Sequence, residues 1–390
     1  MPASPAGGSL RAALSRARRS APHAGRSPCA RRLECFADGH RGTTPPAQDL
    51  GLGLVTRRRE LPRADRVLPG LWRLRLPLPW PVVPHVNAFA VAAGNGVVLV
   101  DCGLSEPGSL SGLRQALGQA GLSLEHVKLL VCTHAHGDHY GQAAAIVEET
   151  GCELWMNHNH AHTTDAAQHP DRTLEGSIEV ARHSGTPPDD LEEYETTRRG
   201  RDLGLSGIVM PDRDLIDGVE VESDLGTWQA YETPGHAPSH VVLHQPERRL
   251  LLSGDHLLGR VSLYYDHGYT PDPAGEFLAS LEVVEQLDIS LVLAGHGRPV
   301  RDAPGLIAAN RRTIAARIDG IRAALADGPR AAYDLVDAVL AAAELPAEIP
   351  TFARVGWILS ETLCYLTHLE KLGEVSREEH GQQELWRLAG

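Results

Sequence analysis

The chain has 390 residues, of which 42% are hydrophobic, and a formal net charge of −13. That length can bury a sizeable core or two smaller ones. No stretch approaches the ~18 consecutive apolar residues of a spanning helix, and six scattered cysteines with no CxxC pair exclude a disulfide framework, so a cytoplasmic protein with reduced thiols and no membrane association is expected.

Residues 1–60 differ from the rest. They carry 11 arginines against Glu34, Asp38, Asp49 and Glu60, which leaves −20 on the remainder. Ala, Ser, Pro and Gly dominate, and no apolar periodicity is present, so a disordered tail is expected. Its Arg-rich, acid-poor composition mimics a transit peptide, but it lacks the apolar stretch of a secretory signal. The expectation is a dispensable tail, or a start codon placed too far upstream.

A first folded domain is expected over 61–302. Residues 71–76 alternate as a half-buried strand does. Residues 87–93 and 97–101 read as a hairpin around Gly94-Asn95-Gly96. A helix follows over 110–120. The apolar run 129–132 reads as a buried strand, and 139–150 as the next helix.

Between them lies Thr133-His134-Ala135-His136-Gly137-Asp138-His139, three imidazoles and a carboxylate in one short loop. Neutral imidazole with carboxylate suits zinc, with iron and manganese behind it. Four ligands this close in one short loop are hard to satisfy with one tetrahedral ion, which favours two metals. His158, His160 and His162 show that histidines also cluster as solvated or outer hydrogen-bonding groups. The polar stretch 158–218 carries helical runs over 171–182 and 189–204. Three more candidate ligands follow apolar runs and adjoin glycines: His236 in Thr-Pro-Gly-His, Asp255 in Ser-Gly-Asp-His, and His296 in Gly-His-Gly. Ligands at successive strand ends form a site at one edge of a sheet.

From 303 onward the pattern is helical. Ile307, Ile314, Ile318, Ile321 and Leu325 form an apolar stripe. Helices are then expected over 331–342 and 353–372, and short strands at 373–375 and 384–388. Three helices and a small hairpin resemble a winged helix, so 303–390 is read as a second, mostly helical winged-helix-like domain. Residues 305–390 hold 9 basic and 12 acidic side chains, which disfavours nucleic acid as a partner. Arg311, Arg312, Arg317 and Arg322 are read as solvated helix surface. The module is expected to pack, cap or form a homodimer.

Taken in order, HxHxDH, Thr-Pro-Gly-His, Ser-Gly-Asp and Gly-His-Gly resemble the metallo-β-lactamase-fold hydrolases, in particular the branch of glyoxalase II, the lactonases and the lactamase-β-like ribonucleases. The resemblance covers roughly residues 68–299. It implies an α/β fold, an αββα metallo-β-lactamase sandwich. It implies that His134, His136 and His236 hold one metal, that Asp138, His139 and His296 hold the other, and that Asp255 bridges them. In resemblance terms, 158–218 is a helical insertion that walls the substrate pocket, with Met210 and Tyr194 as specificity contacts. Asp101 resembles the buried aspartate that braces the ligand loop. His136 in place of Glu argues against the flavodiiron branch. Asp255 and His296 argue against the common class B β-lactamases.

The chemistry expected is attack by a hydroxide held between two Zn2+ (Fe or Mn as alternatives) on a small acyl substrate. A thioester comes first, then a lactone or ester, because a thiolate leaves most easily. Asp138 would position the nucleophile as well as ligate. His256 and Tyr265, with Tyr264, are candidate proton donors or substrate contacts. His240 is expected to support the ligands from behind. Two alternatives stay open: a metal-dependent endoribonuclease or phosphodiesterase, and a mononuclear-iron persulfide dioxygenase-like enzyme.

Overall fold

The computed structural model describes residues 61–80, 83–201, 203–263, 269–343 and 348–390. The expected tail 1–60, and Tyr264 and Tyr265, lie outside the described residues.

The chain opens with strands β1 (Arg63–Leu68), β2 (Leu71–Pro77), β3 (His85–Ala93) and β4 (Gly96–Val100), then helix α1 (Ser109–Gln119) and β5 (Val127–Val131). Next come α2 (Gly137–Tyr140), α3 (Ala143–Thr150), β6 (Glu153–Met156), α4 (Ala161–Gln168), α5 (Pro170–His183) and α6 (Pro188–Arg198). The middle holds β7 (Arg213–Asp214), β8 (Glu220–Val221), β9 (Trp228–Glu232), β10 (Val241–Gln245), β11 (Leu250–Gly254), α7 (Pro273–Glu285) and β12 (Leu291–Ala294). The last elements are α8 (Ala303–Leu325), β13 (Arg330–Ala331), α9 (Val336–Ala342), α10 (Thr351–Ala353), α11 (Ser360–Lys371), β14 (Val375–His380) and β15 (Gln383–Leu388).

Strands β1 to β7 form one sheet in chain order, and a second runs β12-β11-β10-β9-β8. Period-2 alternation sends neighbouring side chains to opposite faces, and here both faces are buried. In β4, Val97 and Leu99 pack with Leu113 and Leu117 of α1, while Val98 and Val100 face Trp228 and Leu243 of the second sheet. In β11, Leu250 and Leu252 face the first sheet, and Leu251 packs with Phe277 and Leu281 of α7. The layers are therefore helix, sheet, sheet, helix: the αββα sandwich. Strand pairs β4·β5, β5·β6 and β11·β12 are parallel. Their carboxyl ends meet at one edge, where Asn87 N donates to Gly295 O (2.7 Å) and Val241 N to Thr133 O (2.8 Å).

The C-terminal helices and the three-stranded sheet β13-β15-β14 share one core with the inserted helices. Leu174, Ile178 and Tyr194 of α5 and α6 are buried with Ile314, Leu335 and Trp386. Tyr333 N donates to Ser184 O (2.8 Å), and Thr351 Oγ1 to Glu193 Oε2 (2.8 Å). This corrects the expected role of Tyr194, which is 5% exposed and belongs to that core. Met210 is exposed in the segment leading into β7.

Three expected helices differ. The helix over 139–150 is broken between Tyr140 and Ala143. The run over 189–204 stops at Arg198, ahead of Gly200 at φ 68°. The span 353–372 includes a π turn over Arg354–Leu359. The expected arginine surface holds except at Arg317, which is buried against Glu361; Arg312 is exposed, and the partly exposed Arg311 and Arg322 pair with Glu285 and with Glu374 and Asp319.

Candidate metal centre

All seven candidate ligands meet at the edge where the two sheets converge. His134 and His136 follow β5, and Asp138 and His139 sit in the single turn α2. His236 follows β9, Asp255 follows β11 and His296 follows β12. Three overlapping groups of donors each lie within 4.8 Å: His134, His136 and His236; His134, His139 and Asp255; and Asp138, His139 and His296.

In the first group, His136 Nδ1 is 3.1 Å from His134 Nε2 and 3.0 Å from His236 Nε2. The outer nitrogens settle which inner atoms carry lone pairs. Thr133 Oγ1 donates to Asp101 and so accepts from His134 Nδ1, 3.1 Å away. His236 Nδ1 donates to Ser262 O (2.8 Å). Both Nε2 atoms therefore point lone pairs at one spot, as metal-bound imidazoles require. Burial, then the neighbouring imidazoles, holds His134 and His136 well below the ordinary histidine range. Burial also lowers His236.

The second group has the opposite electrostatics. His139 Nδ1 donates to Asp101 Oδ2 (2.8 Å) and His296 Nδ1 to His85 O (2.9 Å). Their Nε2 atoms face carboxylates. His139 is 3.3 Å from Asp255 Oδ1, and His296 is 3.2 Å from both Asp138 Oδ2 and Asp255 Oδ2. Lone pairs against anions call for a metal cation or a proton between them. Burial alone would depress both histidines, but Asp255 and Asp138 outweigh it, raising His139 well above its usual range and His296 to about 9. Burial would raise the two aspartates, yet the facing imidazoles lower Asp138 and take Asp255 well below the usual range.

Two buried atoms, His139 Nε2 and Asp255 Oδ1, have no hydrogen-bond partner. Buried polar atoms seldom go unpaired, so an unsatisfied nitrogen facing an unsatisfied carboxylate oxygen fits a divalent cation. A Cβ at Gly295 would lie 2.4 Å from Asp255 Oδ1 and 2.6 Å from His139 Cε1. The glycine leaves the room the donors use.

A ring of buried partners supports the donors. Asp101 stands at φ 60°, a left-handed conformation uncommon outside glycine. From there its Oδ1 accepts from Thr133 N (2.8 Å) while Oδ2 takes His139. His240 accepts from Asp255 N (3.0 Å) through Nε2 and lies 2.8 Å from Thr233 Oγ1 through Nδ1. It supports the aspartate backbone and not another imidazole. Gly254 sits at φ 45°, and a Cβ there would lie 2.7 Å from His240 Nε2.

The proposed proton donors fare differently. His256 is wholly buried, its ring 4.8 Å from Phe277, and neither ring nitrogen has a hydrogen-bond partner. Burial pushes its pKa down to about 3. This placement is that of a core histidine and argues against proton transfer. Tyr264 and Tyr265 lie outside the described residues. His162, read from the sequence with His158 and His160 only as a solvated or outer hydrogen-bonding histidine, is carried by α4 to 5.5 Å from the His136 ring and 3.0 Å from Ser239 Oγ.

Comparison with known proteins agrees with this geometry. The sequence profile of the metallo-β-lactamase superfamily matches residues 82–296, more than half of the chain. The "Probable metallo-hydrolase YqjP" of Bacillus subtilis is 24% identical over 268 residues, which are 67% of this chain and 82% of that protein. The "Lactamase-like protein adaB" of Aspergillus niger is 26% identical over 219 residues, so this chain spans about half (51%) of that relative's length. A solved metallo-β-lactamase family protein of Thermus thermophilus is 27% identical with a TM-score of 0.69, covering 83% of this chain and 100% of that one. A β-lactamase domain protein of Burkholderia ambifaria is 26% identical with a TM-score of 0.71, covering 84% and 94%. By the matched span and by the ligand-bearing edge of its two sheets, this chain belongs to the metallo-β-lactamase superfamily.

Proposed function

We propose that the protein is a two-zinc hydrolase of small acyl substrates, a thioester before a lactone or ester. The observation that carries the reading is the facing of His139 Nε2 and His296 Nε2 onto Asp138 and Asp255, beside a separate three-histidine group. One ion at the three-histidine group leaves the imidazoles and carboxylates of the other with no metal between them. When bound, the two cations supply a deprotonated water and polarise the substrate oxygen.

The residues divide the remaining work. His134, His136 and His236 would hold the first ion. Asp138, His139 and His296 would hold the second, with Asp255 between them. Asp138 keeps its carboxylate ionised beside His139 and His296, so it can accept a hydrogen bond from the attacking water and orient it. Thr133, Asp101 and His240 keep the donors aimed. A thioester is favoured because its thiolate leaves without a proton, and His256 is enclosed and neutral.

RNA is the weaker substrate class. The C-terminal arginines Arg311, Arg317, Arg322, Arg354, Arg377 and Arg387 all engage carboxylates, which leaves little clustered positive charge for a phosphate backbone. In this reading the C-terminal module, together with the insertion, is a packing layer. A panel of small thioesters, lactones, esters and single-stranded RNA tests the reading. Thioester turnover that RNA does not inhibit supports it; RNA cleavage without acyl turnover sinks it.

A further inference from the structure

We propose that His162, at the start of the inserted helix α4, is a positioning residue for the metal-ligand loop. Three groups from distant parts of the chain form one relay. Ala135 lies between His134 and His136, and its N–H donates to Ser239 Oγ (3.1 Å). Ser239 Oγ in turn lies 3.0 Å from His162 Nε2. Ser239 is wholly buried and His162 is 8% exposed. The serine hydroxyl has one proton and two lone pairs, so either tautomer of His162 closes the relay.

The ring of His162 adds a second constraint. It meets the His136 ring edge-on at 5.5 Å and the Tyr269 ring edge-on at 6.5 Å. Tyr269 OH donates to Asp165 Oδ2 (3.0 Å), also on α4. One helix thus touches both the back of the His134–His136 loop and the segment that leads into α7. His136 has Nδ1 aimed at the cation position and His162 against its ring, so His162 limits how far that ring can turn. Outer groups that orient ligands commonly set metal affinity by ten- to a hundredfold. His162 therefore ties the insertion to the chemistry through ligand geometry, not through a substrate contact.

The inference rests on the metal reading above, and the test separates the two. Metal affinity of the full chain is measured by competition with a chromophoric zinc chelator, alongside thermal unfolding of the metal-free protein. His162→Ala is expected to weaken zinc at least tenfold. His162→Gln, whose amide can give or accept the bond to Ser239, is expected to recover most of that loss. His160→Ala controls for helix damage, because His160 stands at the N-terminal end of the same helix and lies 3.1 Å from Thr164 Oγ1; it is expected to bind zinc as the parent does. Should His162→Ala fail to fold, Ser239→Ala breaks the relay from its other end with the same expected loss. Parental affinity in His162→Ala, or an equal loss in His160→Ala, overturns the positioning role. A parent protein that binds no zinc overturns the metal reading beneath it.

Discussion

Asp101 Oδ2 lies 2.8 Å from His139 Nδ1, and the same carboxylate takes Thr133 N and Oγ1 on its other side. One buried side chain thus fixes the tautomer of one ligand and the start of the loop that carries three others. The arrangement requires Asp101 at φ 60°, a conformation Asp and Asn tolerate better than other non-glycine residues.

Asp101→Asn isolates the electrostatic part of that role. Asn suits the backbone and can still accept from Thr133, but its amide would face His139 Nδ1–H donor to donor. His139 then turns its proton inward, where the cation belongs. Zinc affinity is expected to fall about tenfold or more, with a stability loss of about 1–3 kcal/mol. Chelator competition and urea unfolding read the two quantities.

The metal-free protein should lose stability as pH rises above neutrality. His296 has its pKa raised from 6.5 to about 9 by Asp255 and Asp138 against the effect of burial, and His139 is raised in the same direction. A pKa raised on folding adds stability that is complete below the unfolded value and is lost as pH climbs through the folded one. His134, His136 and His236 are depressed, so they are neutral in both states only from about one pH unit above the ordinary histidine value. Denaturation midpoints of the metal-free chain should therefore drop from that point up to about pH 9. Zinc should abolish the slope, because it replaces the protons. A flat profile without metal would show that the carboxylates do not face these imidazoles.

His256→Leu should be nearly silent in catalysis. The ring is enclosed against Phe277 and makes no hydrogen bond, so an apolar replacement of similar volume loses little. The value of kcat/KM is expected to stay within about threefold, whereas loss of a general acid would cost about 10²–10⁴-fold.

Tyr194→Ala separates a packing role from a specificity role. The side chain is buried among Leu174, Ile178 and the C-terminal helices. Removing a large aromatic from a core costs about 3 kcal/mol or more. The unfolding free energy should fall by that amount while substrate preference of the folded enzyme stays fixed. Unchanged stability with altered preference would restore it to the pocket wall.

The edge that gathers the candidate ligands was legible because each sits where an apolar strand stops beside a glycine or turn, although strands of both sheets supply it. Val127–Val131 before His134 and Leu250–Gly254 before Asp255 carry that pattern within a few residues. Asp101 and His240 were legible as supports of the donors, but the other partners that aim them were not. Ser262 O and His85 O are backbone atoms with no signature in side-chain chemistry. His162 meets Ser239 across 77 positions, and only the fold brings them together. Tyr194 was misplaced for a related reason. The inserted helices look like a separate polar excursion in sequence, yet Leu174 and Ile178 are buried against residues beyond 303. Adjacency to Asp255 in sequence says nothing about which way the His256 side chain turns, and the fold sets its ring 4.8 Å from Phe277.

Metal content bears most directly on the central claim. The purified full chain, dialysed to remove loosely held ions, is analysed by elemental mass spectrometry alongside an Asp255→Ala variant. The account predicts about two zinc per parent chain and a clear loss in the variant, with thioester turnover following the metal. About one iron per chain, with oxygen consumed and no hydrolysis, would contradict it, as would an Asp255→Ala protein that keeps both ions and full activity.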